Sequence, residues 1–175
     1  MWVWLHESLE LDLFFDWYIL VYMNFLERVC ACLEKNKIPY ALVGGYAVAL
    51  HGATRGTVDI DFIVRFQEAD FIALEKALGS IGLKPRLPVT AKEVFQFRQE
   101  YIEQRNLIAW SFINPNNPLE IVDVIITENL ADCSVATKDF GKLKVKVLSK
   151  KDLIKMKKKS GRPQDLLDVD ALERL

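Results

Sequence analysis

Apolar positions recur along the chain with two periods, and the switches between them outline its elements. From Asn24 to Asn36, Phe25, Leu26, Val29, Cys30 and Leu33 fall on one helical face. Pro39 lies just beyond the expected helix end. The apolar run Tyr40–Val43 then meets Gly44-Gly45 and a short helical pattern, Tyr46 to Leu50. After a turn-like segment carrying His51, Gly52, Arg55 and Thr57, the run Val58 to Val64 is β-branched and aromatic, which predicts a strand. Gln67 to Ile81 reads as a second long helix with a buried stripe of Phe71, Ile72, Leu74, Leu78 and Ile81, ended by Gly82.

The second half alternates more quickly. Leu83–Leu87 suits a short edge strand, because Pro85 and Pro88 exclude a central one. Thr90 to Gln104 should be a charged, solvated helix or a lid, with Thr90 and Glu93 forming a capping box. Leu107–Ile113 and Leu119–Thr127 read as strands of a hairpin, joined by the turn Asn114–Pro118. Ala136 to Leu148 predicts a smaller hairpin turning near Phe140-Gly141. Leu143, Val145 and Val147 share one face of it, and Lys142, Lys144 and Lys146 the other. That lysine face suits either an exposed, protected strand or a basic strip for RNA or triphosphate. Ser149 should cap a helix running to Lys159, closed by Ser160-Gly161. Pro163 opens a last helix expected to bury Leu166, Leu167, Val169, Leu172 and Leu175.

Length changes this picture little: 175 residues suit one domain with a real core. Residues 1–22 stand apart. They crowd seven aromatics, among them Trp2, Trp4 and Trp17, and Asp12 and Asp16 interrupt the apolar run. With no positive charge ahead of that run, they suit neither a signal peptide nor a membrane span. Two readings stay open: an amphipathic helix packed on the domain or a partner, or an upstream extension with Met23 as the natural start. The expected domain is therefore 23–175, with 1–22 an aromatic extension. Three cysteines, Cys30, Cys32 and Cys133, argue against a disulfide framework and for a reducing, cytoplasmic compartment. No second Cys/His cluster joins Cys30-x-Cys32, so the pair reads as free thiols on a helix.

Charge is more informative in its distribution than in its sum. The net value of −1 by itself implies no nucleic-acid partner. Between Lys138 and Arg162, however, eleven basic residues face two acidic ones, a local net of +9. That excess permits RNA without demanding it.

The candidate chemistry lies between Tyr40 and Val64. Alternation along a strand puts Asp59 and Asp61 on one face, roughly 6–7 Å apart. Uncompensated, they repel by roughly 2–3 kcal/mol at an effective dielectric of about 20. A divalent cation such as Mg²⁺ is the simplest compensation and leaves coordination sites for phosphate. The D-x-D pattern alone also fits an exposed edge strand with Arg or Lys neighbours. Gly44-Gly45 at a strand-to-helix junction frees backbone N–H groups and lets a phosphate approach; alone it also fits a tight turn. Asp123, mid-strand in an apolar run, is costly without a partner. Glu120 has the opposite strand parity.

Taken together, Gly44-Gly45, thirteen intervening residues and Asp59-Ile60-Asp61 resemble the nucleotidyltransferase superfamily that includes DNA polymerase β. Arg55-Gly-Thr57-Val-Asp59-Ile-Asp61 is closer still to the minimal prokaryotic branch with abortive-infection and toxin–antitoxin nucleotidyltransferases. The segment Asp152–Lys157 with Gly161-Arg162-Pro-Gln-Asp165-Leu-Leu-Asp168 resembles the C-terminal part of the same proteins. The resemblance covers roughly residues 38–168.

The resemblance implies an α/β nucleotidyltransferase fold: a small, mixed, twisted sheet flanked by helices, with C-terminal helices. It implies transfer of an NMP from an NTP to an acceptor hydroxyl. Asp59, Asp61 and Asp123 would hold two Mg²⁺ ions. Gly44 and Gly45 would hold the β and γ phosphates, and Arg55, Lys157 and Arg162 would offset charge. Thr57 would bond a phosphate or fix the loop, and Asp165 would orient Arg162 or Lys157. The implied acceptor is RNA, such as a tRNA 3′ end, or a protein, and a cognate antitoxin or toxin partner is expected. Two alternatives stay open: a non-catalytic, antitoxin-like nucleotide-binding module, and a transferase acting on an aminoglycoside-like small molecule.

Overall fold

A computed structural model describes residues 24–141 and 143–175. The aromatic extension 1–22 and Lys142, the first lysine of the expected strip, lie outside the described residues.

The order of elements follows the sequence pattern. Helix α1 spans 24–35. Then come β1 (Tyr40–Leu42), α2 (Gly44–Leu50), β2 (Ile60–Val64), α3 (Glu68–Ser80) and β3 (Lys84–Pro85). Next are α4 (Ala91–Gln96), α5 (Arg98–Arg105), β4 (Ala109–Asn114) and β5 (Asn117–Ile125). A 3₁₀ turn, Leu130–Asp132, leads to β6 (Val135–Phe140), β7 (Leu143–Leu148), α6 (Lys150–Ser160) and α7 (Pro163–Glu173).

The strands form one seven-stranded mixed sheet in the order β3-β4-β5-β2-β1-β7-β6. β1 runs antiparallel to β2, whereas β2 and β5 are parallel neighbours. Alternation sorts the strand residues into two layers. Ile60, Phe62 and Val64 of β2, with Trp110, Phe112, Val122 and Val124, meet α1, α3 and α4 in the larger core. Trp110 stacks on Phe71 of α3 at 6.2 Å between ring centroids. On the opposite face Ala41, Val43 and Ile63 pack under α2, α6 and α7 through Ala47, Val48, Leu153 and Leu172. Asp61 shares that second face with Ile63, and Asp123 shares it with Ile125.

Three expectations need correction. The strand with the carboxylates begins at Ile60, so Asp59 lies in a bend before the ladder. The charged helix 90–104 is two, broken at Phe97, although the Thr90/Glu93 capping box is present. The apolar stripes of α3 and α7 are shifted. Ile72 is exposed while Ala77 is buried. Leu166 and Leu167 of α7 and Leu175 beyond its end are exposed, and Asp165 and Asp168 are buried beside Val169 and Leu172. The reason lies in α6: its buried Lys157 needs acidic partners, and the facing side of α7 supplies them.

The other elements are present with shifted ends: β5 takes in Asn117 and Pro118 of the expected turn and stops at Ile125, short of Thr127. β3 is a short edge strand, β4 and β5 form a hairpin, and β6 and β7 form another. Ser149 accepts from the Asp152 N–H, and Gly161 ends α6 in the left-handed region at φ +67°. All three cysteines are free. No helix among the described residues is long and apolar enough to cross a membrane.

Candidate active site

The site begins with a register. In the β2–β5 ladder Asp61 stands opposite Asp123. Parallel neighbours in a sheet are about 4.8 Å apart, so two carboxylates are set side by side on one face. β1 ends against the same point, because the Val43 N–H donates to the Asp61 carbonyl at 2.9 Å. The chain then turns through Gly44 at φ +61°. A Cβ on Gly44 would lie 1.8 Å from Asp61 Oδ2, and one on Gly45 would lie 2.5 Å from Thr57 Cβ. The glycine pair therefore brings the chain against the Asp61 carboxylate and against the loop that precedes β2. Neither residue can be replaced without moving one of them.

The carboxylates are poorly compensated. Burial, then the charges of Asp123 and Asp59, push Asp61 up to about 7 against the opposing pull of Lys157 and Arg162. Burial and Asp123 raise Asp59 as well. Asp123 Oδ1 is buried without a hydrogen-bond partner. An orphaned carboxylate oxygen beside two further acids fits an oxygen-seeking divalent cation. Among the described residues no group of three or more His, Cys, Asp or Glu side chains is already placed to hold a metal ion. The donors are thus an open set facing a cleft.

That cleft has a volume of ≈ 1190 Å³, and Gly44, Asp61, Asp123, Lys157, Arg162 and Asp165 all line it. Six of the ten expected site residues are therefore gathered there. Gly45, Thr57, Arg55 and Asp59 are not in its lining. Gly45 and Thr57 pack on each other, Asp59 reaches the group electrostatically, and Arg55 pairs with Asp168 at 3.2 Å.

The basic side of the cleft is a closed ion network. Lys157 Nζ, only 6% exposed as a residue, donates to Asp165 Oδ1 at 3.1 Å and Asp168 Oδ2 at 2.6 Å. Arg162 Nε donates to Asp165 Oδ2 at 2.6 Å. Burial would raise the Asp165 pKa, but hydrogen bonds from Arg162, Ser160 and Lys157 outweigh it and hold the group well below the usual carboxylate range. Asp165 thus contacts both Arg162 and Lys157, as expected. Sequence reasoning assigned no role to Asp168, which ties Lys157 of α6 to Arg55 of the α2–β2 loop. Its signal was the spacing from Asp165: three apart on a helix means one face.

Gly44, the strand acids Asp61 and Asp123, and the basic pair Lys157 and Arg162 thus line one cleft. Residues 25–174 match the family described as nucleotidyl transferase AbiEii toxin, type IV TA system. The chain belongs to that family.

This AbiEii-family chain is accordingly a nucleotidyltransferase of the toxin–antitoxin type. Enzymes of the family work with an NTP and a divalent metal, and a type IV toxin implies a cognate antitoxin. No curated protein matches it in sequence. Solved structures share the fold at low identity. The antibiotic-resistance factor ANT(2″)-Ia in solution is 12% identical, with a TM-score of 0.61 over 87% of this chain and 83% of that one. The lincomycin-bound lincosamide adenylyltransferase LnuA is 18% identical, with a TM-score of 0.55 over 86% and 95%. A putative nucleotidyltransferase from Thermotoga maritima is 16% identical, with a TM-score of 0.56 over 85% and 90%. The mixed, helix-flanked sheet is therefore the nucleotidyltransferase fold that the motifs implied.

Proposed function

We propose that this AbiEii-family enzyme moves an NMP from an NTP to the 3′ hydroxyl of an RNA such as a tRNA, acting as the toxin of a cytoplasmic toxin–antitoxin pair. The observation that carries this reading is the Asp61–Asp123 register with its orphaned Asp123 oxygen. Asp59, Asp61 and Asp123 would hold two Mg²⁺ ions, which when bound acidify the acceptor hydroxyl and offset charge on the leaving pyrophosphate.

The chain's own residues do the rest. Gly44 and Gly45 would hold the β and γ phosphates through backbone N–H groups at the start of α2. Arg162, with 68% of its side chain exposed, turns its guanidinium toward them while Asp165 fixes its angle. Lys157 and Arg55 act from behind, as fixed positive charges locked by Asp165 and Asp168. Thr57 fixes the loop that carries Asp59 by packing on Gly45. Asp123 accepts the proton of the attacking hydroxyl, a bond forms from that oxygen to the α-phosphorus, and the bond to the β-phosphate oxygen breaks.

Each of the four α-labelled NTPs should be offered with Mg²⁺ to the protein and total RNA. Label in RNA that disappears in Asp59→Asn/Asp61→Asn, with the fold intact by circular dichroism, is the expected result. Unaltered transfer by that double variant would overturn the metal assignment, and label in the protein itself would move the acceptor to a polypeptide. Labelled aminoglycoside or lincosamide instead would make the acceptor a small molecule, as in the antibiotic adenylyltransferases that share the fold. No label anywhere, with a co-purifying partner, would favour the non-catalytic module. We also take 23–175 as the working domain; loss of soluble protein on deleting 1–22 would sink that division.

A further inference from the structure

The cleft has a second end that the transfer site does not use. Gly44 lies beside the start of β2, since β1 runs antiparallel to β2 and Val43 bonds to Asp61. Just past the opposite ends of β2 and β5 lie Phe66 and Ile126, and Arg98 of α5 joins them. Its guanidinium carbon sits 4.1 Å from the Phe66 ring centroid, and Nη1 donates to the Ile126 carbonyl at 2.9 Å. Arg98 and Phe66 both line the cleft. Ile126 is three residues beyond Asp123, or about 10 Å along an extended strand. The cleft therefore runs from the glycine pair, across the carboxylates, to Arg98.

Charge separates the two ends. Arg162, Lys157 and Lys159 line the cleft with carboxylate partners: Asp165, Asp165 with Asp168, and Glu128. Arg98 has none among the described residues. Its one protein hydrogen bond is to a neutral carbonyl. The stacked, half-buried guanidinium is held in orientation but not neutralised, with further donors available. Lys155 and Asp132 also line the cleft, and neither has a salt-bridge partner among the described residues. Asp152 is occupied by the Ser134 N–H and Ser149. Arg98 thus brings to this end of the cleft a guanidinium that no carboxylate within salt-bridge distance offsets among the described residues, a group that attracts an anion.

Resting on the RNA reading above, we propose that Arg98 is a specificity-determining residue that binds the phosphodiester preceding the attacking 3′ nucleoside of the acceptor strand. The Phe66 ring sets the plane of the guanidinium fork, and the fork pairs with the phosphate oxygens. The donor triphosphate occupies the other end and does not touch Arg98.

Fluorescence anisotropy with a single-stranded RNA trinucleotide tests this, using a normal oligomer and one whose last phosphodiester is a neutral methylphosphonate. The wild type should bind the neutral oligomer about tenfold more weakly or worse. Arg98→Ala should bind both equally, at that weakened level, with NTP affinity by calorimetry unchanged. Arg98→Lys, which keeps the charge, should recover part of the discrimination and shows that the loss in Arg98→Ala is not unfolding. Equal wild-type binding of both oligomers, discrimination kept by Arg98→Ala, or a matching fall in NTP affinity would each overturn the assignment. Should wild-type protein label RNA while any of these holds, the RNA reading survives and only Arg98 falls. Should it neither label RNA nor bind the oligomer, both fall.

Discussion

Two groups of buried charge lie within one cleft, and they are resolved in opposite ways. On the C-terminal side, Lys157, Arg162 and Arg55 meet Asp165 and Asp168, and their ionic partners are provided within the protein. On the strand side, Asp59, Asp61 and Asp123 have no cationic side chain in salt-bridge contact among the described residues, and one oxygen has no hydrogen-bond partner. The first arrangement is a brace of paired charges, although the buried Arg55 Nε, 3.2 Å from Asp168 Oδ1, makes no hydrogen bond. The second is left uncompensated within the protein, as the cation and phosphate site proposed above would require. Ion pairing thus distinguishes the two groups more cleanly than burial does, since Asp61 and Asp165 are both largely buried.

The sharpest break of this comparison removes the incomplete group. Asp61→Asn with Asp123→Asn should lower kcat/KM by about 10⁴-fold, because cation-assisted charge stabilisation is worth several kcal/mol. Stability should not fall, and removal of like-charge repulsion should raise the urea midpoint slightly. A loss of activity accompanied by a loss of stability would mean that these acids are part of the scaffold after all.

The same operation on the closed group should do the reverse. Lys157→Ala leaves Asp165 and Asp168 buried opposite a missing charge, and breaking a buried ion cluster costs about 3–5 kcal/mol. Urea denaturation reads this directly. The triple variant Lys157→Met/Asp165→Leu/Asp168→Leu should recover most of the midpoint, since an apolar replacement restores consistency. Failure to recover would show that the network does more than satisfy itself.

How much of this contrast was legible beforehand depends on which element carries each residue. Asp61 and Asp123 were readable because strand alternation fixes the face of every second residue, and an acid in an apolar run has few explanations. Asp59 shared the motif but not the strand, since the ladder starts one residue later. Asp168 was signalled only by its spacing from Asp165, and the exposure of Leu166 and Leu167 was not readable. Helical stripe arguments assume that the apolar face goes inward, whereas α7 turns a carboxylate pair toward Lys157. Arg98 was hidden for another reason. Its neighbours Phe66 and Ile126 come from distant segments, and only the β2–β5 pairing brings the ends of those strands together.

The junction between the two groups is Gly44, and it offers a smaller perturbation. Gly44→Ala places a methyl group on the Asp61 carboxylate in a left-handed backbone conformation. The conformational term alone is about 1–2 kcal/mol. Displacement of Asp61 should add a fall in kcat that exceeds what the stability change explains. A variant with lowered stability and full kcat would show that Asp61 can move without consequence.

The finest test uses pH, and its sign follows from Asp165. The folded protein holds this carboxyl below its ordinary value, near 3.9 in an unfolded chain. Its contribution to stability is therefore fully present above about pH 4, and it is lost as pH falls through the folded value. Asp165→Asn removes the titration while keeping the shape. The difference in unfolding free energy between wild type and this variant should be constant from pH 7 to about pH 5 and shrink steadily below pH 4. The strand acids move the other way. Burial and their neighbours raise Asp61 and Asp59, so their ionisation destabilises the metal-free fold as pH rises. In metal-free buffer the Asp61→Asn variant should therefore gain on wild type between about pH 5 and pH 8, and saturating Mg²⁺ should reverse that gain by stabilising only the wild type. Opposite pH slopes from two clusters in one cleft would be the thermodynamic form of the contrast between brace and site, and parallel slopes would remove it.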